Sequence, residues 1–348
     1  MKTEPLITAI VVTHNRREEL RRCLRSLATY EPSVEIIVVD NASDDGTDAL
    51  LADHFPQVSV LTAPRNLGTS ITRNAASRVA RGEFLWFLDD DAELVQAGVG
   101  QRLRDLLAAN AGLAAVGGEA VVDPRGRVVG VKRLNMQVNG MVRGEHLLDL
   151  VDGDLADADC LATSCLFIRR QAFEAVGGFD PMFTFYREDM DLCARLNHAG
   201  WRLAVMGRLA VVHHFATVGR GRRVFAPQVQ RNVYLLRHRR WRDLMLMPLH
   251  DLVFLLSPRS FVRGLHFMRV SERGDKAMVV SSIGRRGIRV SALPRVAGRA
   301  VTLALAMAAG YALCLPYAPA AIRSRGVHVG GLADTRLDAF SIRGALPR

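Results

Sequence analysis

FLWFLDDDAEL, residues 84–94, is the stretch on which the fold turns. Five apolar residues in succession, Phe84 to Leu88, read as a strand covered on both faces, because a half-exposed strand would alternate apolar with polar. The run stops in three adjacent carboxylates, Asp89, Asp90 and Asp91. Such carboxylates repel one another unless something positive sits among them. An all-oxygen donor set suits Mg²⁺ or Mn²⁺, which keep some of their waters and bridge to substrate phosphates. A solvated acidic turn is the plainer alternative for three aspartates considered alone.

Upstream, strand and helix patterns alternate. Leu6–Thr13 and Val34–Asp40 are buried-strand runs and Val58–Thr62 is a third. Between them, residues 16–28 place Leu20, Leu24 and Leu27 on one helical face, 44–53 read as a short helix, and 68–80 put Ile71, Ala75 and Val79 on one stripe. Strand–helix repeats with short links predict an α/β fold with a mostly parallel sheet covered on both sides. Ligands of such sheets bind beyond the carboxyl ends of the strands. The polar residues at those ends are Thr13-His14-Asn15, Asp40-Asn41 and the aspartate triplet.

Downstream the pattern is mixed. Residues 121–131 and 160–169 read as strands, some of them antiparallel, and 149–159 as an acidic loop. Residues 189–199 read as a helix that buries Leu192, Leu196 and Ala199 and stops at Gly200. His213-His214 closes the apolar run 209–212. Beyond 225, basic clusters (237–242, Arg285-Arg286) alternate with apolar segments at 244–256 and 300–322. The latter is a 23-residue uncharged stretch broken by Pro316 and Pro319.

In a chain of 348 residues, 49% hydrophobic and 23% charged residues make a globular composition and exclude collagen and disorder. Cys23, Cys160, Cys165, Cys193 and Cys314 form no CxxC and no Cys/His cluster, which predicts reduced thiols rather than a zinc site or a disulfide framework. No signal peptide is read at the N-terminus. The net charge of +11 divides unevenly. Residues 1–201 carry 21 Lys/Arg against 29 Asp/Glu, and residues 202–348 carry 25 against 6. The basic tail lacks a nucleic-acid-binding motif and aromatics make up only 6% of the chain, so no nucleic-acid partner is expected.

Other constellations have two readings each. Asp40-Asn41 could accept hydrogen bonds from a base or ribose, or form an Asx turn before a helix cap. Arg65-Asn66-Leu67-Gly68, followed by Arg73-Asn74, is a basic approach to a helix N-terminus, suited to an anion. Glu188-Asp189-Met190-Asp191 opens a helix, where the macrodipole favours an ionised carboxylate. Asp191 could equally pair with Arg195 one turn on. Neither GxGxxG nor GxxxxGK[ST] occurs, which removes the main support for a dehydrogenase or a P-loop enzyme.

Six segments in order carry a resemblance: VVTHNR (11–16), VVDNASDDGT (38–47), RNLG (65–68), FLDDDAEL (87–94), VGGFDPMFTFYREDMDLCARLNHAGWRL (176–203) and VVHH (211–214). Together they resemble the inverting family 2 glycosyltransferases of the GT-A fold, in their rhamnosyltransferase-like branch. The resemblance covers residues 5–240. It implies a Rossmann-like nucleotide-binding domain over 1–240; the basic and apolar segments beyond it read as a mainly helical region over 241–348. It implies that Thr13, Asn15 and Arg16 border the nucleotide, that Asp40 holds base or ribose, and that Arg65, Asn66 and Gly68 flank base and diphosphate. Asp89, Asp91 and His213 would hold Mn²⁺ or Mg²⁺, with His214 the rival of His213, and Asp90 would lie near the ribose. Asp189 would be the catalytic base and Glu188 an acceptor-binding residue. Two departures stand out: Thr163 where the family usually has Gly, and HFATVG after His213 in place of HxxGxS.

The implied reaction is a single sugar transfer, with inversion, from a dTDP-, UDP- or GDP-sugar to a glycan or lipid-linked acceptor in cell-envelope synthesis. dTDP-rhamnose is the favoured donor. A processive polysaccharide synthase would add QxxRW and several membrane spans, whereas RHRRW stands at 237–241. A glycosidase with paired carboxylates would need neither Asp40 nor the 65–68 loop. The tail suggests an enzyme at the inner face of the cell membrane, with an anionic lipid surface as partner and 300–322 lying on the bilayer rather than spanning it. A helical appendix packed on the catalytic domain is the other reading of that tail.

Overall fold

The computed structural model describes residues 6–137, 140, 142–214, 226–256, 304–305, 307–325 and 329–344. In chain order the elements are β1 (Ile7–Thr13), α1 (Arg17–Tyr30), β2 (Glu35–Asp40), α2 (Thr47–His54), β3 (Ser59–Thr62), α3 (Thr69–Val79), β4 (Phe84–Asp89), β5 (Ala92–Leu94) and α4 (Val99–Ala109). There follow β6 (Leu113–Gly117), β7 (Glu119–Val122), β8 (Val128–Met136), β9 (Val142–Leu147), β10 (Leu155–Asp157), β11 (Leu166–Arg169), α5 (Arg170–Ala175), α6 (Glu188–His198), β12 (Arg202–Met206) and β13 (Val211–His213). The last are α7 (Ala226–His238), α8 (Trp241–Leu256), α9 (Ala318–Arg323) and β14 (Ser341–Arg343).

A nine-stranded sheet has the order β10-β12-β6-β11-β4-β1-β2-β3-β14. Strands β1, β2, β3, β4, β6 and β12 run one way and β10, β11 and β14 the other, so the sheet is mixed and mostly parallel. The central strands are apolar runs because helices cover both faces: Ile10, Val11, Val38, Leu85, Trp86 and Phe87 are all fully buried. Each such side chain contributes roughly 1.5–3 kcal/mol over leaving it in water. Two further ladders are β13 on β5, and the meander β7-β8-β9.

Residues 121–131 divide between β7, a turn and β8. A 3₁₀ turn at 163–165 precedes β11, and β10 lies inside the acidic loop. Ala199 is exposed rather than buried, because it ends α6 as its C-cap. The chain also divides differently from an expected boundary at 240. One compact unit comprises residues 1–136, 142–219 and 327–348, and the other comprises 137–141 and 220–326. The final segment thus returns to the first unit, where β14 pairs antiparallel with β3. The second unit is helical in its described residues, with α7, α8 and α9. Arg285-Arg286 and residues 300–303 and 306 lie outside the described residues. No helix among the described residues is long and apolar enough to cross a membrane.

Candidate active site

Strand order reverses beside β1: β2 and β3 lie on one side of it and β4 on the other. The carboxyl ends of β1 and β4 flank that switch point, where open α/β sheets form a crevice. Thr13, at the end of β1, donates its hydroxyl hydrogen bond to Asp90 Oδ2 at 2.9 Å. Arg16, on the next loop, places Nη1 2.6 Å from Asp90 Oδ1 and Nη2 2.7 Å from Asp91 Oδ2. The positive group required by the aspartate triplet is therefore in part Arg16, which grips two of the carboxylates. Burial pushes Asp90 up to about 7; Arg16 opposes that shift and Asp91 adds to it.

The β5–β13 ladder brings the downstream histidine to the triplet. His213 sits opposite Ala92, and the His214 N–H donates to the Asp91 carbonyl at 3.0 Å. His213 Nε2 lies 3.1 Å from Asp91 Oδ1 and 3.7 Å from Asp89 Oδ2. One donor atom from each of Asp89, Asp91 and His213 lies within 4.8 Å of the others. Two carboxylate oxygens and an imidazole nitrogen at this spacing fit a Mn²⁺ or Mg²⁺ ion. His214 instead places Nε2 2.6 Å from Glu93 Oε2 and is partly exposed. On this geometry the first histidine, not its rival, belongs with the aspartates.

Behind His213 stands Glu119, the first residue of β7, whose Oε1 is 2.7 Å from His213 Nδ1. Glu119 also accepts from Lys132 Nζ and from the Ser164 hydroxyl, both at 2.8 Å. Burial raises the Glu119 carboxyl, but His213 and Lys132 outweigh it and hold it well below the ordinary range. Burial likewise lowers His213, yet Glu119 and Asp91 carry it up to about 10. A carboxylate behind a histidine fixes its ring and raises its basicity as a metal ligand. Glu119→Gln is expected to weaken Mn²⁺ binding by about 10–100-fold, read by titration with the metal alone. Unchanged affinity would remove Glu119 from the metal site.

Opposite lies the N-terminus of α6. Its cap, Arg187, is a non-glycine residue at φ 71°, which turns the chain sharply into the helix. Glu188 is buried: its Oε1 accepts from Arg73 Nη1 at 2.9 Å and from the Thr69 hydroxyl at 3.0 Å. Arg73 reaches the other way with Nη2, 2.9 Å from Asp89 Oδ1. One buried guanidinium therefore ties Asp89, at the end of β4, to the start of α6. Asp189 accepts a hydrogen bond from the Met190 N–H at 2.8 Å. Burial and the neighbouring Glu188 push it up to about 7. Asp191 does pair with Arg195, at 2.8 Å, but the pair is buried rather than on the helix surface.

At the end of β2, Asp40 is buried and its Oδ1 accepts from the Ser43 N–H, three residues on, at 2.9 Å. Asn41 donates to Asn66 Oδ1 at 3.0 Å and accepts from the Leu67 N–H at 2.8 Å, which joins the ends of β2 and β3. Asn15, at φ 54°, accepts from the Asp44 N–H at 2.8 Å. Arg65 is exposed. Gly68 has φ +81°, and a Cβ there would come within 2.6 Å of the Thr184 carbonyl oxygen. Glycine thus lets the loop before α3 run against the segment before α6. Thr163, where the family usually has Gly, places its hydroxyl 3.5 Å from Asp89 Oδ1.

Three comparisons bear on this arrangement. Residues 8–177 match the family described as Glycosyl transferase family 2, and residues 155–265 match Glycosyl transferase family group 2. N-acetylglucosaminyl-diphospho-decaprenol L-rhamnosyltransferase of Mycobacterium tuberculosis is 30% identical over 240 residues, covering 61% of this chain and 76% of that protein. O-antigen chain rhamnosyltransferase WbaN of Salmonella anatum is 26% identical, covering 60% of this chain and 66% of that protein. Among solved structures, GalNAc-T7 with UDP, GalNAc and Mn²⁺ superposes with a TM-score of 0.55 at 16% identity. That match covers 68% of this chain and 48% of the other, and it speaks for the fold alone. With its GT-A architecture, its acidic strand-end cluster and these relatives, the chain belongs to glycosyltransferase family 2 and is a rhamnosyltransferase-like glycosyltransferase.

Proposed function

We propose that this enzyme transfers a sugar, with inversion and one residue at a time, from a nucleoside diphosphate donor to an acceptor hydroxyl during cell-envelope glycan synthesis. The single observation that carries the reading is the convergence at one crevice of Asp89, Asp91 and His213 with the N-terminal turn of α6. Asp89, Asp91 and His213 would hold Mn²⁺ or Mg²⁺, whose positive charge would neutralise the leaving diphosphate. Thr13, Asn15, Arg16, Asp40, Arg65, Asn66 and Gly68 are assigned to the nucleotide side of the crevice, and Asp90 to the ribose. In the structure Arg16 and Thr13 already hold Asp90, so their role toward the nucleotide includes fixing that carboxylate.

Asp189 is assigned as the base. It takes the proton from the acceptor hydroxyl as the oxygen attacks the anomeric carbon from the face opposite the diphosphate. Glu188 is committed to Arg73 and Thr69, so its part on the acceptor side is to set the entry to α6. The rhamnosyltransferase relatives favour rhamnose as the sugar, carried as the dTDP-rhamnose that the family resemblance implies, and the N-acetylglucosaminyl-diphospho-decaprenol acceptor of the mycobacterial relative favours a lipid-linked diphosphate sugar. Such an acceptor would place the enzyme peripherally at the inner face of the cell membrane. A panel of dTDP-, UDP- and GDP-sugars with Mn²⁺ or Mg²⁺, read by protection from thermal unfolding, tests the donor class. One nucleotide sugar should protect strongly and only with metal present; protection by none, at millimolar donor, would refute the reading.

A further inference from the structure

Helix α8 is built inside out. Its buried side carries Asp251, which accepts from Arg231 Nη1 at 3.0 Å and Nη2 at 2.6 Å, and from the Tyr311 hydroxyl at 2.6 Å. Arg231 and Asp251 are only 1% and 4% exposed. The opposite side carries Trp241, Met245, Leu246, Leu249, Leu252 and Val253, which are between 50% and 83% exposed. Spaced at i, i+4, i+8, i+11 and i+12, five of them form one stripe along the helix. A helix bathed in water on one side puts its apolar stripe inward and its charges outward. Here the ion pair is inward and the stripe outward, so the medium this face meets is apolar.

Charge identifies that medium. Arg240 and Arg242 are exposed at the head of α8. The unit that contains the helix, residues 220–326, holds 20 Lys/Arg against 4 Asp/Glu. An apolar stripe headed by exposed arginines, in a unit whose sequence is strongly basic, matches an anionic bilayer, where the stripe enters the acyl boundary and arginines meet lipid phosphates. A protein partner would have to be both apolar and strongly acidic. The helix has 16 residues and Pro248 within it, short of the about 20 needed to span, so it lies in the plane of the interface. Trp241, at the start of the helix, stacks under the Arg325 guanidinium, 4.6 Å from the ring centroid, an amphipathic pair suited to the headgroup level.

We infer that the outward stripe of α8 docks this enzyme on an anionic lipid surface, lying in the plane of the membrane. The inference rests on the proposed transfer reaction only for its purpose, which is to hold the active site at the surface where a lipid-linked acceptor resides.

The test is flotation of the full chain with vesicles of phosphatidylglycerol mixed into phosphatidylcholine, and with phosphatidylcholine alone. The wild type should float with the anionic vesicles, with affinity falling steeply in salt, and Trp241 emission should be quenched by lipids brominated high on the acyl chain. Met245→Glu with Leu249→Glu should weaken binding by at least about tenfold, since each replaces buried apolar area by a charge. Both positions are exposed, so thermal unfolding and metal-dependent protection by the nucleotide sugar should be unchanged. Arg240→Ala with Arg242→Ala should lower binding to anionic vesicles while leaving the weak binding to neutral ones. Equal flotation of wild type and Met245→Glu/Leu249→Glu would overturn the inference. So would a stable dimer in lipid-free buffer that this double variant dissolves, which would make a second copy the occupant. If donor protection fails while vesicle binding behaves as stated, the transfer reading falls and the docking face stands.

Discussion

Asp189→Asn is expected to lower sugar transfer by about 10²–10⁴-fold while nucleotide-sugar affinity stays within a few-fold of wild type. The carboxylate is the proposed proton acceptor, and its amide keeps the shape and the hydrogen bond from the Met190 N–H but cannot take a proton. Burial and Glu188 raise its titration to about 7, which poises it as a base near neutrality. The sign follows directly. Below that value the carboxyl is protonated and the base is lost, so transfer should rise from pH 5 to about 8 and then level. In Asp189→Asn this acidic limb should disappear from the residual rate. Near wild-type transfer by Asp189→Asn, together with an inactive Asp191→Asn, would move the base to Asp191.

The second large effect concerns the acidic cluster. Asp91→Ala should reduce transfer by on the order of 10³-fold, since the charge neutralised at the diphosphate is worth several kcal/mol. Chelation of the wild type should give a comparable loss that Mn²⁺ or Mg²⁺ restores. Asp91 is fully buried; burial raises its carboxyl, but His213 and Arg16 outweigh that and hold it ionised far below its usual range. Removing it leaves Arg16 and His213 with surplus positive charge, so a melting curve must accompany the assay. Titration of Mn²⁺ alone onto folded Asp91→Ala should show at least about a tenfold weaker site. Full activity in excess chelator would end the metal role.

What could be read from the residues follows their range of interaction. The strands β1, β2, β3 and β4 were legible because burial on both faces writes a continuous apolar run. Their polar ends pointed to the crevice, and the strand-end aspartates and the VVHH segment named the residues that the structure brings together as Asp89, Asp91 and His213. Ala199 was misread because helix periodicity does not mark where α6 stops burying side chains. Arg73 and Glu119 could not be found this way. Arg73 pairs with Glu188 across 115 positions, and Glu119 pairs with His213 across 94. Arg73-Asn74 did stand out as a basic pair beside a helix N-terminus, but its carboxylate partners are set by the topology. Strand β14 is three exposed residues added to the edge of a sheet begun more than 270 residues earlier, and it has no apolar pattern to betray it. The run 244–256 is apolar enough to look like core, and only the structure shows that Leu246, Leu249 and Leu252 face outward and Asp251 inward.

The central claim is a single displacement at the anomeric carbon, with Asp189 on one face and the diphosphate on the other. Its most direct test is the anomeric configuration of the product, read by NMR from the one-bond carbon–proton coupling of the newly formed linkage. The account predicts one added sugar per acceptor, joined with the configuration opposite to that of the donor, and none formed in Asp189→Asn over the same time. A product that keeps the donor's configuration would contradict it.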